Sequence, residues 1–323
     1  MTDRDKLVTI FGGSGFIGRH TVRALAKRGW RIRVAVRRPD LAGHVQPLGT
    51  VGQIMPVQAN LRYRWSVDRA VEGADAVVNL VGILHESGRQ TFGAVQAFGA
   101  RAVAEATRAA GIGTLVHQSA LGTDLNSESV YARTKAEGEA AVFETVPNAV
   151  VLRPSIVFGP EDQFFNRFAD LARLMPFLPL IGGGHTKLQP VFVGDVAEAI
   201  ARAVEGEIAG GRTYELGGPE VKTFRECMEL LLKEIERSRP LVSIPFGLAR
   251  LQASVLQLLP NPLLTVDQVR LLAHDNIVSP EATASGATLS GIGITPTSLE
   301  AVLPSYLVRF KPHGQFDQKR TAG

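Results

Sequence analysis

The chain has 323 residues, of which 45% are hydrophobic and 20% are charged. That balance is typical of a globular protein with a sizeable core, and the length predicts one domain of about 150 to 200 residues with a smaller partner. The net charge of +4 fits phosphate-bearing ligands, an acidic partner or an anionic membrane surface without choosing among them. Because the sequence has no Lys/Arg run of the nucleic-acid-binding type, we expect no nucleic-acid partner.

The cysteine content and the first residues indicate the compartment. Cys227 is the single cysteine, which excludes an internal disulfide and favours a reducing, cytoplasmic environment. The Cys and His spacing does not indicate a metal site, so none is expected. The polar residues 1–6 predict no signal peptide, and no apolar run of the sequence is long enough to cross a bilayer. We therefore expect a soluble or peripheral protein.

The first half of the chain alternates short apolar runs with longer amphipathic ones, which is the βαβ pattern of a parallel sheet. Strands are predicted at residues 7–11, 31–36, 54–58, 76–81, 114–119 and 149–153. Helices are predicted at residues 16–28, 92–110 and 130–146, the first two stopped by Gly29 and Gly111. The pattern predicts an α/β fold with a Rossmann-type, doubly wound parallel sheet.

After the sixth predicted strand the pattern changes and indicates a second domain. We expect residues 1–160 to form the Rossmann domain, with residues 189–216 returning to it. Residues 161–188 and 217–310 are expected to form a smaller, mainly helical substrate or partner domain. Residues 311–323 are expected to be a polar tail.

A glycine-rich loop lies between the first strand and the first helix. It consists of Gly12, Gly13, Ser14, Gly15, Phe16, Ile17 and Gly18, so its glycines at positions 12, 15 and 18 have the spacing GxxGxxG. The first glycine permits a sharp turn, the second lets the backbone approach a pyrophosphate, and the third lets helix and strand pack closely. The helix N-terminus then offers N–H groups to the phosphates. The loop in this context predicts dinucleotide binding, with a ligand-free glycine turn as the alternative.

Basic residues follow the second strand. Proteins that bind NAD usually place Asp or Glu there to bind the ribose 2′-hydroxyl. This chain has Arg37 and Arg38 instead, and the nearest acid, Asp40, lies beyond a proline. Guanidinium groups suit a 2′-phosphate, and Arg19, just after the glycine loop, is placed to join them. The pattern favours NADPH over NADH, with a solvated strand end as the alternative.

Tyr131 and Lys135 form a YxxxK motif on the helix predicted after strand five. Positions four apart share one face of a helix. The lysine is suited to bind a nicotinamide ribose, and its charge lowers the pKa of a neighbouring phenol, which then serves as general acid or base. The motif therefore indicates chemistry on a carbonyl or an alcohol.

These motifs together resemble the atypical, extended short-chain dehydrogenase/reductase superfamily. The resemblance rests on the stretches FGGSGFIGRH, VRRPD, LVHQSALG, YARTKAEGE, LRPSIVFGPEDQFFNRF and QPVFVGDVAEAI. More narrowly, the chain resembles the NADPH-binding, dehydrogenase-like accessory subunits of respiratory complex I, the NADH:ubiquinone oxidoreductase. This resemblance implies tightly held NADPH, complex I subunits as partners, and a role in structure or assembly rather than catalysis. The alternatives are an NAD(P)-dependent reductase or epimerase, and a redox or nucleotide sensor.

The resemblance also implies roles for individual residues. Tyr131 and Lys135 match the active tyrosine and lysine of the superfamily, and Ser119 is the candidate for its active serine. Ala120 stands where many catalytic relatives have a second hydroxyl, which argues against full activity. Further cofactor contacts are implied after the third, fourth and sixth strands, at Asn60, Leu61, Val81, Gly82, Pro154, Ser155 and Ile156.

The segment 246–264 is apolar on most faces and has two interpretations. A thin polar stripe runs along it, formed by Arg250, Gln252, Ser254 and Gln257. One interpretation is a core helix of the second domain. The other is a surface that docks on a membrane or a partner subunit, which together with the resemblance implies a peripheral position on the cytoplasmic face of the inner membrane.

Overall fold

The computed structural model describes residues 6–259 and 262–312. The strands in chain order are β1 (Leu7–Phe11), β2 (Arg31–Val36), β3 (Ile54–Gln58), β4 (Ala76–Asn79), β5 (Thr114–Gln118), β6 (Val150–Pro154), β7 (Val157–Phe158), β8 (Leu178–Ile181), β9 (Lys187–Leu188), β10 (Val191–Phe192), β11 (Arg212–Leu216), β12 (Lys222–Thr223) and β13 (Leu241–Ile244). The α-helices are α1 (Phe16–Lys27), α2 (Arg64–Val71), α3 (Phe98–Ala109), α4 (Val130–Thr145), α5 (Phe165–Leu174), α6 (Val193–Glu205), α7 (Phe224–Glu234), α8 (Phe246–Leu256), α9 (Val266–Leu271), α10 (Pro280–Ala284) and α11 (Leu299–Leu307).

Seven of these strands form one parallel sheet in the order β3-β2-β1-β4-β5-β6-β11. The order reverses between β1 and β4, so the connections leave the sheet in opposite directions from that point. In doubly wound sheets of this kind, ligands bind outside the carboxyl ends of the strands where the order reverses. The predicted Rossmann-type fold is therefore confirmed, and it directs attention to the ends of β1 and β4.

The sheet is held by an apolar layer between its strands and the helices α2, α3 and α4. Phe11, Val77, Leu115 and Val151, one from each of four strands, are buried in this layer. The facing side of α3 is built largely of alanine, with Val103 among them. Small side chains allow the helix to pack close to the sheet, and burial of this apolar surface is the main source of stability.

Two predicted elements differ from the observed ones near the ends of the strands. The helix expected at residues 92–110 begins with a π-helical turn, Gly93–Ala97, before α3. A Cβ at Gly138 would lie 2.6 Å from the backbone oxygen of Gln96 in this turn, so glycine allows α4 to approach it. The fourth strand, expected to reach residue 81, ends at Asn79, because the Asn79 side chain accepts a hydrogen bond from the N–H of Val81.

The chain divides into two compact units. The first comprises the described residues up to Pro154 together with Gly194–Leu216 and Ser279–Thr295, and the second comprises the rest. The sequence predicts that the whole of 217–310 lies in the second domain, whereas Ser279–Thr295 belongs to the first unit. The cause is long-range pairing: the carboxylate of Glu215 accepts the N–H of Ser279 at 2.7 Å, and Arg202 donates to the carbonyl of Ile292 at 2.8 Å.

The second unit has its own hydrophobic core. Its centre includes the buried residues Phe158, Phe165, Phe224, Leu231 and Leu303. A buried hydrogen bond of 2.6 Å from the Tyr306 hydroxyl to Asp162 ties α11 to the residues before α5. Among the described residues, this unit contains three two-stranded sheets, which pair β7 with β10, β9 with β12 and β8 with β13.

The helix α8 buries one narrow face and leaves the other exposed. Ala249 and Ala253 are fully buried, whereas the opposite face carries Leu248, Leu251 and Val255, the last two 65% exposed. Residues 260 and 261 lie outside the described residues, and beyond them Leu263 is again exposed. No helix among the described residues is long and apolar enough to cross a membrane.

Candidate functional site

The glycine loop lies at the carboxyl end of β1, where the strand order of the sheet reverses. Gly12 has φ of 79°, a left-handed conformation that glycine adopts without the cost that a side chain brings. Its N–H donates to the carbonyl of Ala35 at the end of β2, and the N–H of Gly15 donates back to the carbonyl of Gly12 at 3.0 Å. The loop is thus a fixed turn that joins two neighbouring strands to α1.

Gly18 is required by the packing of α1 against this turn. A Cβ at this position would lie 2.3 Å from the backbone oxygen of Gly12 and 2.6 Å from Cα of Gly13. Because both neighbours are backbone atoms, they cannot move aside without opening the loop. Gly13 is also confined, since a Cβ there would meet Val34 at 3.0 Å.

The N-terminus of α1 is suited to an anion. Its N-cap is Gly15, which makes no side-chain capping hydrogen bond, and its first turn contains no acidic residue. The first N–H groups of a helix have no intrahelical acceptor, and the helix dipole favours negative charge beside them. Backbone atoms of Ser14, Phe16 and Ile17 complete the turn into the helix. This arrangement fits the diphosphate of a dinucleotide.

The arginines predicted to bind a 2′-phosphate differ in their surroundings. Arg19 donates to the carbonyl of Gly15 at 3.4 Å. Arg38 is paired with Asp40 at 2.7 Å on the surface, and its hydrogen bond lowers the pKa of the Asp40 carboxyl. Arg37 is exposed and has no ion pair within the described part of the chain. Arg37 is therefore the arginine most available to a new anion, while Arg38 would have to exchange its partner.

His44, which sequence analysis did not single out, bridges the glycine loop and the residues after β2. It belongs to the short 3₁₀ helix Gly43–Leu48. Its Nε2 lies 3.1 Å from the carbonyl oxygen of Ser14, and its Nδ1 lies 3.2 Å from that of Leu41. No local sequence pattern predicts this contact, because His44 and Ser14 are 30 positions apart.

The predicted cofactor contacts after β3 and β4 lie at the carboxyl ends of these parallel strands. The side-chain oxygen of Asn60 accepts the N–H of Arg62 at 3.2 Å, and Leu61 is buried in the core. Val81 follows β4, and a Cβ at Gly82 would lie 3.4 Å from Nζ of Lys135. The position of Gly82 thus links the end of β4 to the YxxxK helix.

Tyr131 and Lys135 lie one turn apart near the start of α4. The helix begins there because Ser129 caps it, accepting the N–H of Ala132 at 3.2 Å. The Tyr131 ring packs edge-on against Phe92, with ring centroids 5.8 Å apart. The Lys135 ammonium donates to the carbonyl of Gln118, the last residue of β5, at 3.0 Å. The structure therefore brings the lysine to the strand end that also carries Ser119.

A buried polar group lies beneath Lys135, between the sheet and the helices. Burial lowers the pKa of Lys135 to about 8, and Glu139 partly opposes that shift. Burial, and then the charge of Lys135, lowers the pKa of His117 to about 3, so that the imidazole is neutral. His117 Nδ1 lies 3.2 Å from the side-chain nitrogen of Asn79, and its Nε2 has no partner among the described residues.

The serine site has a hydroxyl neighbour that sequence analysis did not identify. Ser119 is buried, and its Oγ lies 3.3 Å from Oγ1 of Thr123. Thr123 in turn donates to the carbonyl of Ala120. Thr123 therefore supplies a second hydroxyl beside Ser119, although Ala120 itself has none.

The three contacts expected after β6 fall in both units. Pro154 ends β6 in the first unit, and its carbonyl accepts the N–H of Leu121 at 3.0 Å. Ser155 and Ile156 belong to the second unit. There the Ser155 hydroxyl donates to the side-chain oxygen of Asn276 at 2.7 Å, and the Ile156 carbonyl accepts the N–H of Val191. Only Pro154 shares the compact unit that holds the glycine loop.

The strand order, the glycine loop and the start of α1 define the class of Rossmann-type dinucleotide-binding proteins. The model of the NAD dependent epimerase/dehydratase family matches residues 8–217. The chain belongs to this family.

Two individual relatives are similar to this chain over most of its length. The chain is 33% identical to the NADH dehydrogenase (ubiquinone) 1 alpha subcomplex subunit 9, mitochondrial, of Arabidopsis thaliana, over 95% of this chain and 79% of that protein. It is 38% identical to the ceramide reductase of Caulobacter vibrioides, over 69% of this chain and 67% of that protein. The predicted resemblance to accessory subunits of the NADH:ubiquinone oxidoreductase is confirmed by the first of these.

A solved structure supports the fold. The NADPH-dependent quinone oxidoreductase of Escherichia coli, complexed with NADPH, matches with a TM-score of 0.72 at 20% identity, over 94% of this chain and 99% of that chain. At this identity the likeness concerns the fold alone.

Proposed function

We propose that the chain is an NADPH-binding accessory subunit of respiratory complex I and that the nucleotide stabilises its fold. The observation that carries the proposal is the 33% identity to the mitochondrial subunit of Arabidopsis thaliana, which extends over 95% of this chain. This similarity extends over nearly the whole length and so includes the second unit as well as the first. Complex I subunits are accordingly the proposed partners.

The residues of the first unit fit NADPH. The glycine loop and the N-terminus of α1 would hold the diphosphate, because both offer backbone N–H groups and exclude side chains by geometry. Arg37 and Arg19 would hold the 2′-phosphate, with Arg38 joining if it leaves Asp40. Asn60, Val81 and Gly82 lie at the edge of the sheet that would face the adenosine and the ribose. NADH would lack the phosphate that the exposed guanidinium group of Arg37 would bind.

A nucleotide with a structural role is energetically reasonable. A ligand present at a thousand times its dissociation constant adds about 4 kcal/mol to the free energy of unfolding. That is a large share of the total stability of a typical domain. Loss of the nucleotide would therefore lower the amount of folded subunit available for assembly.

An NAD(P)-dependent reductase is the second candidate. The observation that favours it is the combination of Tyr131 and Lys135 on one face of α4 with 38% identity to the ceramide reductase of Caulobacter vibrioides. Bound NADPH would supply a hydride. Tyr131 would give a proton to the carbonyl oxygen of a substrate, and Lys135 would lower the pKa of the phenol. Ser119, whose hydroxyl lies 3.3 Å from that of Thr123, would donate a hydrogen bond to the same oxygen.

The exposed face of α8 supports a peripheral position on the membrane. Residues 240–266 contain no Asp or Glu, and Arg250 is their single charged residue. An apolar ridge beside a positive charge, with no acid to repel anionic lipid, suits the membrane interface. We place this contact at residues 246–264 and the protein on the cytoplasmic face of the inner membrane.

One purification separates the two candidates. The protein is isolated from its native membranes in mild detergent, and its bound nucleotide is extracted and identified. The accessory-subunit proposal expects NADPH that stays unoxidised when a panel of carbonyl compounds is added. Oxidation that is lost in the Tyr131→Phe variant would instead establish the reductase.

A further inference from the structure

Both ring nitrogens of His44 face hydrogen-bond acceptors. Nε2 lies 3.1 Å from the carbonyl oxygen of Ser14, and Nδ1 lies 3.2 Å from the carbonyl oxygen of Leu41. A neutral imidazole has one N–H and donates to only one of two such carbonyls, whereas the imidazolium ion donates to both. Protonation of the ring therefore allows both of these hydrogen bonds at once.

The two carbonyls belong to the two segments that form the adenosine end of the candidate site. Ser14 lies inside the glycine loop, and Leu41 ends the 3₁₀ helix Pro39–Leu41 that follows Arg37 and Arg38. His44 thus fixes the position of the arginine segment relative to the loop. In its protonated form it also adds a positive charge where we have proposed that the 2′-phosphate binds.

The surroundings of His44 carry charge mainly of one sign. The helix Gly43–Leu48 packs against α1, β3 and the helix Pro39–Leu41. The charged and titratable groups on these elements are Arg19, His20, Arg23, Lys27 and Asp40, the last already paired with Arg38. β3 contributes none. A dianionic phosphate would offset the repulsion between the arginine and lysine side chains of α1 and a protonated His44.

We propose that His44 is a specificity-determining and positioning residue of the nucleotide site, which favours NADPH over NADH in its protonated form. The proposal rests on the proposed function, because it needs NADPH to bind at the glycine loop. It makes the affinity for NADPH depend on pH, because only the protonated ring carries the positive charge. By linkage, binding of NADPH draws a proton onto His44.

The test is calorimetric titration of NADPH and NADH into the protein at about pH 6 and about pH 8. The variants are His44→Gln, which cannot be charged, and His44→Arg, which always is. His274→Gln, an exposed histidine in the second unit, is the matched control. The 2′-phosphate itself gains a proton near pH 6, so each effect is measured relative to His44→Gln.

Relative to His44→Gln, we expect the wild type to bind NADPH about fivefold more tightly at the lower pH, the size expected for one surface charge acting on a phosphate dianion. At the higher pH the two should be alike. His44→Arg should keep the advantage at both pH values, and the affinity for NADH should change little in any variant.

Two results would overturn the proposal and leave the proposed function standing. One is an identical pH dependence in the wild type and His44→Gln. The other is an equal loss of NADH and NADPH affinity at both pH values in His44→Gln. That result would mean that His44 only holds the glycine loop in position. If the wild type bound neither nucleotide, the proposed function itself would fail, and the wild-type titration alone reveals this.

Discussion

Lys135 on α4 donates its ammonium group to the backbone carbonyl of Gln118 at 3.0 Å, so the YxxxK helix is fixed to the end of β5 by a buried charge. A buried ammonium ion is costly, because the low-dielectric interior does not replace the water that it loses. The folded protein nevertheless keeps this ammonium group buried at the end of β5, where the candidate catalytic residues lie. Ionisable groups with shifted pKa values cluster at functional sites, and the buried Lys135 is consistent with that rule.

The cost of the buried lysine predicts how stability depends on alkaline pH. Burial lowers the pKa of Lys135 from 10.5 to about 8. Between those two pH values the unfolded chain holds a proton that the folded protein has lost, so the free energy of unfolding gains up to about 1.4 kcal/mol per pH unit from this group. Urea titrations across the window should show a smaller rise for Lys135→Met than for the wild type. Parallel curves for the two proteins would show that folding does not lower the pKa of Lys135.

The buried, neutral His117 predicts how stability depends on acidic pH. Burial lowers the pKa of His117 from 6.5 to about 3. As pH falls between these values the unfolded chain takes up a proton and the folded protein does not, so stability is lost. Unfolding experiments at stepwise lower pH should find His117→Leu less sensitive to acid than the wild type. His274→Leu, an exposed site, should leave the acid sensitivity unchanged; a His117→Leu curve that tracks the wild type would contradict this account.

Gly18 tests the close approach of α1 to the glycine loop. A Cβ there would lie 2.3 Å from the oxygen of Gly12, whereas a Cβ at Gly113 would meet nothing within 4 Å. Gly18→Ala should lower the free energy of unfolding by about 1 to 3 kcal/mol, as overpacking does, and should abolish NADPH binding. Gly113→Ala should do neither. Thermal unfolding with and without NADPH measures both effects, and normal NADPH binding by Gly18→Ala would rule out the close packing.

The arginines after β2 should contribute unequally to specificity. Arg37→Ala should weaken NADPH binding about tenfold while leaving NADH binding unchanged, because it removes an unpaired guanidinium that suits a phosphate. Arg38→Ala should have a smaller effect, since Arg38 already pairs with Asp40. Dissociation constants for both nucleotides provide the comparison. An equal loss in the two variants would mean that the Arg38–Asp40 pair opens at no cost.

The outer face of α8 should bind lipid without supporting the fold. Leu251 and Val255 are both 65% exposed. Changing both to Ser should therefore alter the free energy of unfolding by less than about 1 kcal/mol, as surface substitutions do. The same variant should lose flotation with anionic phospholipid vesicles. Ala253→Ser on the buried face is the converse control, and undiminished flotation of the double variant would exclude α8 as the contact.

The sequence identified those parts of the molecule whose signals are local. The glycine loop, its strand and its helix lie within the short stretch from β1 to α1, and each residue there is constrained by its immediate neighbours. The pattern Thr223-x-x-Glu226 predicts a capping box that opens a helix, and this box caps α7. Thr297-x-x-Glu300 predicts a second one, but α11 begins at Leu299 with Ser298 as its N-cap. A shift of one residue is typical of helix ends, where several polar residues compete.

The parts that sequence analysis missed depend on long-range contacts. His44 meets Ser14 across 30 positions, and His117 meets Asn79 across 38. The return of residues 279–295 to the first unit likewise depends on Glu215, 64 positions before its partner Ser279. The π-helical turn before α3 has the same apolar pattern as an α-helix, so periodicity alone does not reveal it.

Affinity purification from native membranes in mild detergent, followed by mass spectrometry, tests the central claim most directly. We predict that the tagged protein recovers subunits of complex I together with bound NADPH. A protein that is recovered alone, free of nucleotide and of complex I, would contradict the account.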